Sequence, residues 1–176
     1  MTRFEALFAI VERHQKLASE NYERVRTIAE HVRAGFCAYL DASGGECVHL
    51  APPFGPFELK EHGDEAFSLP PKGFRPIAPI TFGLAVRVSP IPDWVRVALV
   101  CSKAGDAFNV EIADGKSYVF SLPIGDNENR DFFDMLYGHL AEGFGEQIRQ
   151  YEEGEYGGHE IGFDMSPPPG VVAQKA

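Results

Sequence analysis

Apolar side chains recur at helical spacing from the start of the chain. Thr2 precedes this pattern, and Glu5 follows three residues later, which is the arrangement of a capping box. Gly35 supplies a stop signal, so the pattern predicts a helix of about 45–50 Å at about 1.5 Å per residue. Its apolar positions are Phe4, Leu7, Val11, Ala18, Val25, Ile28 and Val32.

This helix is longer than a domain of this size normally covers. Polar His14 and Asn21 interrupt its apolar positions. The helix either packs along its own sheet or pairs with a second copy in a short coiled coil, whose register the two polar residues would fix. If the helix is a contact element, the predicted interaction residues are Phe4, Leu7, Val11, Val25, Ile28 and Val32.

Alternation of apolar and polar residues predicts an antiparallel sheet in the middle of the chain. Segments 36–41 and 46–50 are short β-type runs joined by glycines, which favours a first hairpin. Four further strands follow on short turns and predict a meander, so we expect about five to seven strands in all. The four segments are 80–88, 95–101, 108–113 and 118–122.

Residues 51–79, between the hairpin and the meander, lose this periodicity. They hold seven prolines and four phenylalanines, too many prolines for a central strand or a helix. The segment either lies across the core with its phenylalanines as anchors or acts as a lid or docking loop.

The apolar spacing predicts a second helix from a cap at Asp126 or Asn127 to about Glu153. Three glycines lie inside it, each at a cost of roughly 1 kcal/mol relative to alanine. Either another element approaches the helix closely, or the helix breaks near Gly143. The glycines are Gly138, Gly143 and Gly145.

Together these elements predict one α+β domain over residues 1–165, with a long N-terminal helix, an antiparallel sheet and a C-terminal helix packed on the sheet. A hydrophobic content of 44% with 14 Phe is ample for a continuous core. We expect a short edge strand after the second helix. Residues 166–176, which open on a proline run, are predicted to be a disordered tail.

The net charge of −10 is concentrated at the C-terminal end. Residues 126–176 hold three basic and eleven acidic side chains, a net charge of −8. This balance argues against a nucleic-acid partner, because such binding needs lysine and arginine to neutralise phosphates. The acidic region is either a solvated surface or a docking surface for a basic partner.

The three cysteines, Cys37, Cys47 and Cys101, lie in apolar runs without a C-x-x-C pair. We expect free thiols that behave as small hydrophobic side chains, and hence a reducing compartment. The chain shows no signal-peptide pattern and no apolar run near 18 residues. The expected location is therefore the cytoplasm, without membrane contact.

No motif in the chain predicts catalysis, a metal or a cofactor. Gly115-Lys116-Ser117 lacks the second glycine of a phosphate-binding loop and fits a hairpin turn better. Cys47, His49 and His62 have no fourth ligand at a metal-binding spacing. The acidic pairs lie in polar stretches, where no apolar pocket would raise a pKa for acid–base chemistry.

Two hypotheses of function remain. The first is a non-catalytic accessory or regulatory protein that contacts a protein partner, or a second copy of itself, through the N-terminal helix. The second is a small-molecule-binding domain or enzyme, with a Phe-lined pocket beneath residues 51–79. The polar side chains expected at the mouth of that pocket are His49, His62, Arg75 and His139.

Overall fold

The structure is a computed structural model that describes residues 1–42, 46–70, 73–90, 93–112, 115–125, 129–155 and 162–165. It has an α+β fold in which one long helix precedes a five-strand antiparallel sheet and a second helix follows it, as predicted. The elements are α1 (Arg3–Leu40), β1 (Val48–Ala51), a 3-10 helix (Gly63–Ala66), β2 (Ile80–Arg87), β3 (Trp94–Ala104), β4 (Ala107–Ile112), β5 (Ser117–Phe120) and α2 (Arg130–Glu153).

The start of α1 is the predicted capping box. The Thr2 hydroxyl accepts a hydrogen bond from the Glu5 amide at 3.1 Å, and the Thr2 amide donates to the Glu5 carboxylate at 2.6 Å. The hydrogen bond from the Thr2 amide favours the ionised carboxylate, so it holds the pKa of Glu5 below its ordinary value. The prediction of both capping residues is confirmed.

The predicted stop at Gly35 is wrong, because α1 runs on to Leu40 and spans about 57 Å at about 1.5 Å per residue. Asp41 ends the helix in the left-handed conformation, with φ 49°. Gly35 serves a contact instead: a Cβ at this position would lie 2.4 Å from Cζ of Phe133 on α2. The glycine lets α2 approach α1 closely.

The five strands follow one another across the sheet in the order β1-β2-β3-β4-β5, and every neighbouring pair is antiparallel. The four-strand meander is confirmed as β2 to β5. Its longest ladder, between β2 and β3, runs from Ile80 opposite Cys101 to Arg87 opposite Trp94. Alternate residues of these strands face one continuous core, to which both helices also contribute.

The predicted first hairpin is half wrong. Residues 36–40 are the last turns of α1, where Phe36 is fully buried on the core face. Only β1 is a strand, and Val48 lies opposite Val86 of β2. A disulfide between Cys37 and Cys47 joins the end of α1 to the residue before β1. The expectation of three free thiols is therefore wrong for this pair, and the inference of a reducing compartment loses its basis.

Residues 51–79 use two of their four phenylalanines as anchors. Phe67 is buried in the core and forms an isolated bridge with Phe82 of β2. Phe57 is buried against the opposite face of the sheet, beside Trp94. Phe54 and Phe74 are exposed. The packing interpretation is thus confirmed for half of the phenylalanines in this segment.

The second helix ends at Glu153, as predicted, and Gly154 closes it with φ 72°. It begins at Arg130, later than expected, with Asn129 as the flanking residue. The predicted caps at 126 and 127 lie outside the described residues. The helix is continuous, so it does not break near Gly143. Its core face consists of Phe132, Phe133, Leu136, His139 and Leu140.

After α2, Asp164 pairs with β3 on the edge that β4 leaves open. Its amide and carbonyl each bond Arg96 at 2.8 Å, which fits the predicted edge strand at this residue. The Arg96 guanidinium, only 7% exposed, also bonds the Asp164 carboxylate at 2.9 Å and the carbonyls of Pro52 and Gly55. These bonds pair the buried charge and hold Asp164 and the chain at Pro52 and Gly55 to the sheet. The predicted tail, 166–176, lies outside the described residues.

Candidate interaction site

The first turns of α1 extend beyond the rest of the fold. His14 is the first residue with a ring contact outside the helix, to Phe74 at 6.0 Å between centroids. Asn21 donates hydrogen bonds to the carbonyls of Pro76 and Ala78. Ala18 is the first buried side chain. Residues 3–13, which we call the projecting segment, therefore form about three exposed helical turns.

Large apolar side chains cover the projecting segment. Phe4, Leu7 and Phe8 are 75%, 59% and 53% exposed, and Val11 is partly buried. These four residues, which we call the anchor stripe, have the i, i+3, i+4, i+7 spacing of one helix face. Phe8 was missed in the sequence, although it lies four residues after Phe4 and stacks on that ring at 6.4 Å.

The other three predicted interaction residues lie in a different environment. Val25, Ile28 and Val32 are fully buried between α1 and the sheet. This half of α1 packs on its own sheet, so these side chains belong to the core and are not available to a partner. The same apolar face of the helix is exposed at Phe4 and lies against the sheet from Ala18 onwards, which explains the difference in burial.

Two of the predicted ligand-binding residues lie near the 3-10 helix. Arg75 stacks over the Tyr22 ring at 4.3 Å and lies 3.5 Å from the Asp64 carboxylate, to which the Tyr22 hydroxyl also donates. Burial, followed by this hydrogen bond, raises the pKa of Tyr22 to about 12. His62 Nε2 lies 2.6 Å from the Glu58 carbonyl. The contacts of Asp64 and Arg75 with Tyr22 hold these two residues against α1.

The other two lie elsewhere. His49 of β1 is 5.2 Å from the Trp94 ring and 3.6 Å from Glu46. His139 is buried on the core face of α2, with Nε2 3.1 Å from the Gly162 carbonyl. None of the four lines either of the two cavities described below. Their role at a pocket mouth stays a prediction.

A large cavity opens at the end of the sheet opposite the projecting segment. It has a volume of about 1090 Å³ and lies between the end of α1, the turn from β2 to β3, and α2. We call it the cleft. Asp41, Arg87 and Asp93 are its charged residues. Its walls are mostly apolar and include Leu40, Val86, Val95, Leu140, Phe144 and Met165.

Residues 51–79 border a smaller cavity, of about 330 Å³, at their C-terminal end. It is lined there by Ile77, by Leu17 and Asn21 of α1, and by Phe108 of β4. Phe108 is the phenylalanine in its lining, and the Phe-lined pocket predicted beneath residues 51–79 stays a prediction.

One face of α2 leads from the cleft into solvent. Its apolar residues are separated alternately by four and three positions, as in a heptad repeat, and three of them line the cleft. Tyr137, Ile148 and Tyr151 are 52%, 59% and 73% exposed. We call this face the α2 seam; it consists of Tyr137, Ala141, Phe144, Ile148 and Tyr151.

Two of the predicted helix glycines flank the α2 seam. A Cβ built on Gly138 or Gly145 meets no atom within 4 Å. Within the described residues, therefore, the close neighbour that these glycines predicted is not found at either position. A close neighbour is found instead at Gly35, the glycine that was expected to end α1.

The described residues offer little for covalent or metal chemistry. Burial raises the pKa of the Cys101 thiol to about 12, which keeps it protonated and unreactive. Within the described ranges there is no group of three His, Cys, Asp or Glu side chains that could hold a metal ion. In the same part of the chain, no helix has the length and apolarity to cross a membrane.

No family model, no curated protein and no solved structure matches this chain. A proposal of function therefore rests on the residues and geometry of the chain itself.

Proposed function

We propose that this chain is a non-catalytic interaction protein that contacts its partner through the projecting segment of α1. The observation that carries the proposal is the exposure of the anchor stripe. Three of its four side chains are more than half exposed, and two of them are phenylalanines whose rings stack on one another. An apolar helix face with this spacing is the usual ligand of a hydrophobic groove on another protein.

Energetics support this assignment. Burying one large apolar side chain stabilises a contact by about 1.5–3 kcal/mol, so a stripe left in water forgoes several kcal/mol. Single exposed apolar residues are ordinary on protein surfaces, whereas a contiguous group marks an interaction surface. Here the group lies on a capped, continuous helix, so its side chains are already arranged for binding and little conformational entropy is lost.

The polar chemistry of the fold also supports a binding role. Arg96, Arg75 and Asp64 are engaged in contacts that hold loops to the fold. His139 is buried on α2 beside Gly162. These groups contribute to the packing of the chain, and none lines the cleft.

The test compares two charged variants of the projecting segment. Phe4→Glu/Phe8→Glu replaces two residues of the anchor stripe. Ile10→Glu is the matched control, because Ile10 is 66% exposed on a different face of the same helix. Sedimentation at increasing concentration should show wild-type protein and Ile10→Glu well above the 19.4 kDa of one chain, and the double variant at that mass. The proposal fails if all three proteins keep the same mass and the same binding partners.

A second candidate function is the binding of an apolar small molecule in the cleft. The cleft is large enough for such a ligand, and its walls are mostly apolar. The cleft lies away from residues 51–79, so this candidate differs in place from the pocket predicted from the sequence. A thermal-shift screen of such compounds that raises no melting temperature would remove it.

A further inference from the structure

We propose that the α2 seam and the cleft receive the anchor stripe of a second copy of this chain. Two antiparallel copies would each lay a projecting segment along the partner's α2. This inference rests on the proposed function, since it names the partner and the surface that the anchor stripe contacts.

The glycines of α2 are the first argument. A glycine inside a helix is unfavourable relative to alanine, and it suits a position that another element approaches closely. Gly35 has such a neighbour within the chain, namely the Phe133 ring. Among the described residues, Gly138 and Gly145 have no neighbour within 4 Å of a built Cβ; they lie seven positions apart and flank the α2 seam on the side away from the sheet. Their arrangement fits the approach of a helix from a second copy.

The matching spacing of the two exposed faces is the second argument. In the anchor stripe, Phe4, Phe8 and Val11 are separated by four and three residues. The α2 seam repeats the same alternation from Tyr137 to Tyr151. Two helices with this period pack side chains into each other's gaps over successive turns. The cleft at the start of the seam offers room for the bulkier rings.

The geometry of α1 makes the contact intermolecular. The anchor stripe lies at the N-terminal end of this helix, and the cleft is lined by Leu40 and Asp41 at its C-terminal end. An unbroken helix of about 57 Å keeps the two apart within one chain. When two copies lie antiparallel, each stripe comes beside the partner's cleft, and both contacts form in a closed two-fold dimer.

Charge favours the same pairing. Residues 1–17 hold three basic and two acidic side chains, a net charge of +1, whereas α2 holds two basic and six acidic side chains, a net charge of −4. The projecting segment itself is neutral, with two basic and two acidic side chains, so the excess positive charge comes from Lys16 just beyond it. This region of one copy is attracted to the acidic α2 of the other, and two α2 helices repel each other, which disfavours a contact between two seams.

The expected dimer is reversible. Each of its two contacts is small, because two aromatic anchors that bury about 150–250 Å² each provide less than the roughly 800 Å² per partner of a stable interface. Formation of both contacts in one closed dimer compensates in part, because the second contact is intramolecular. We therefore expect association that depends on concentration.

The decisive experiment uses complementary variants of the full chain. Phe4→Glu/Phe8→Glu removes the anchor stripe but keeps the α2 seam, and Ile148→Glu does the reverse. Gln147→Glu is the control, since it adds the same charge one residue away from the seam. By sedimentation, each defective variant should remain at 19.4 kDa, Gln147→Glu should reach twice that mass, and an equimolar mixture of the two defective variants should form a one-to-one complex.

A further pair of variants tests the glycines directly. Gly145→Gln should raise the melting temperature, because it removes a helix glycine without a clash in its own chain. It should also weaken association at least tenfold, because the new side chain occupies the approach of the partner helix. Gly145→Ala should raise the melting temperature with a smaller effect on association. If Gly145 had only a structural role, Gly145→Gln would change the melting temperature without weakening association.

Three outcomes would overturn the inference. If Ile148→Glu and Gly145→Gln associate like wild type while Phe4→Glu/Phe8→Glu does not, the anchor stripe contacts another surface, and only the proposed function stands. If wild type stays at 19.4 kDa with no partner, both fail. If Ile148→Glu changes the melting temperature equally at all dilutions with no change in mass, the seam is covered by its own chain or by a small molecule.

Discussion

The two halves of α1 share one apolar period but have opposite surroundings. Counted from Phe4 through Phe8, apolar or small residues recur at alternating spacings of four and three along one face of the helix, and Gln15 is the polar exception in this series. From Ala18 to Phe36 this face is buried against the sheet, and from Phe4 to Val11 it is largely exposed. A hydrophobic period therefore shows which face of a helix seeks a contact, but not whether its own chain supplies that contact.

The largest expected difference between the halves is in stability. Val25→Asp places a charge in the core, where no partner or water can compensate it, so we expect a loss of about 4 kcal/mol or more in the free energy of unfolding. Phe8→Glu, on the same helix face, should change it by less than about 0.5 kcal/mol. Urea unfolding of dilute protein measures both. Similar losses for the two variants would mean that the projecting segment is also part of the core.

The disulfide affects only the docked half of α1, the part from Ala18 to Leu40 that packs on the sheet. It closes a loop of ten positions between Cys37 and Cys47, which should stabilise the fold by about 3 kcal/mol relative to the open chain. We expect Cys37→Ala/Cys47→Ala to lose roughly this amount and to keep its capacity to associate, because the anchor stripe lies at the other end of α1. Thiol titration of the unfolded wild type should find one free cysteine, Cys101. Three reactive thiols would show that the bond does not form.

The strong local patterns of the sequence predicted most of the fold. The capping box, the alternation in β2 to β5 and the apolar spacing of α2 each depend on neighbouring residues, so they can be recognised without the tertiary structure. The end of α1 could not be recognised in this way, because Gly35 taken alone is a stop signal. Its actual role depends on Phe133, which lies far away in the sequence.

Less of the candidate site could be predicted. Phe4, Leu7 and Val11 were identified from spacing, but the same spacing included Val25, Ile28 and Val32, because burial depends on where the sheet begins. The cleft combines α1, the turn after β2 and α2, so no sequence window contains its lining. His49, His62, Arg75 and His139 were chosen by residue type, and residue type does not show that side chains meet.

A smaller change in the free energy of unfolding is expected at Gly35, where α1 and α2 cross, and it should differ in sign from the change at an exposed helix glycine. In Gly35→Ala the new methyl group would lie 2.4 Å from the Phe133 ring, which is held between Phe36 and His31. Overpacking costs about 1–3 kcal/mol and exceeds the gain of roughly 1 kcal/mol from replacing a helix glycine. We expect a net loss of up to about 2 kcal/mol by urea unfolding. Gly138→Ala, whose surroundings are open, should gain up to about 1 kcal/mol; a gain in both variants would refute the close crossing.

The smallest expected effect is at Tyr22, where the docked half meets residues 51–79. Tyr22→Phe removes the hydrogen bond to Asp64 and should cost about 1 kcal/mol at neutral pH.

Burial and Asp64 raise the pKa of Tyr22 from 10.0 to about 12, so between these values the folded protein keeps a proton that the unfolded chain has lost. The unfolded state then binds fewer protons, and the free energy of unfolding of wild type falls as pH rises from about 10 to about 12. In Tyr22→Phe this contribution is absent, while that of Cys101 is shared by both proteins and cancels. The stability difference should therefore be full below pH 10 and should shrink towards pH 12 in paired urea titrations. A constant difference across that range would mean that the Tyr22 hydroxyl is not held by the fold.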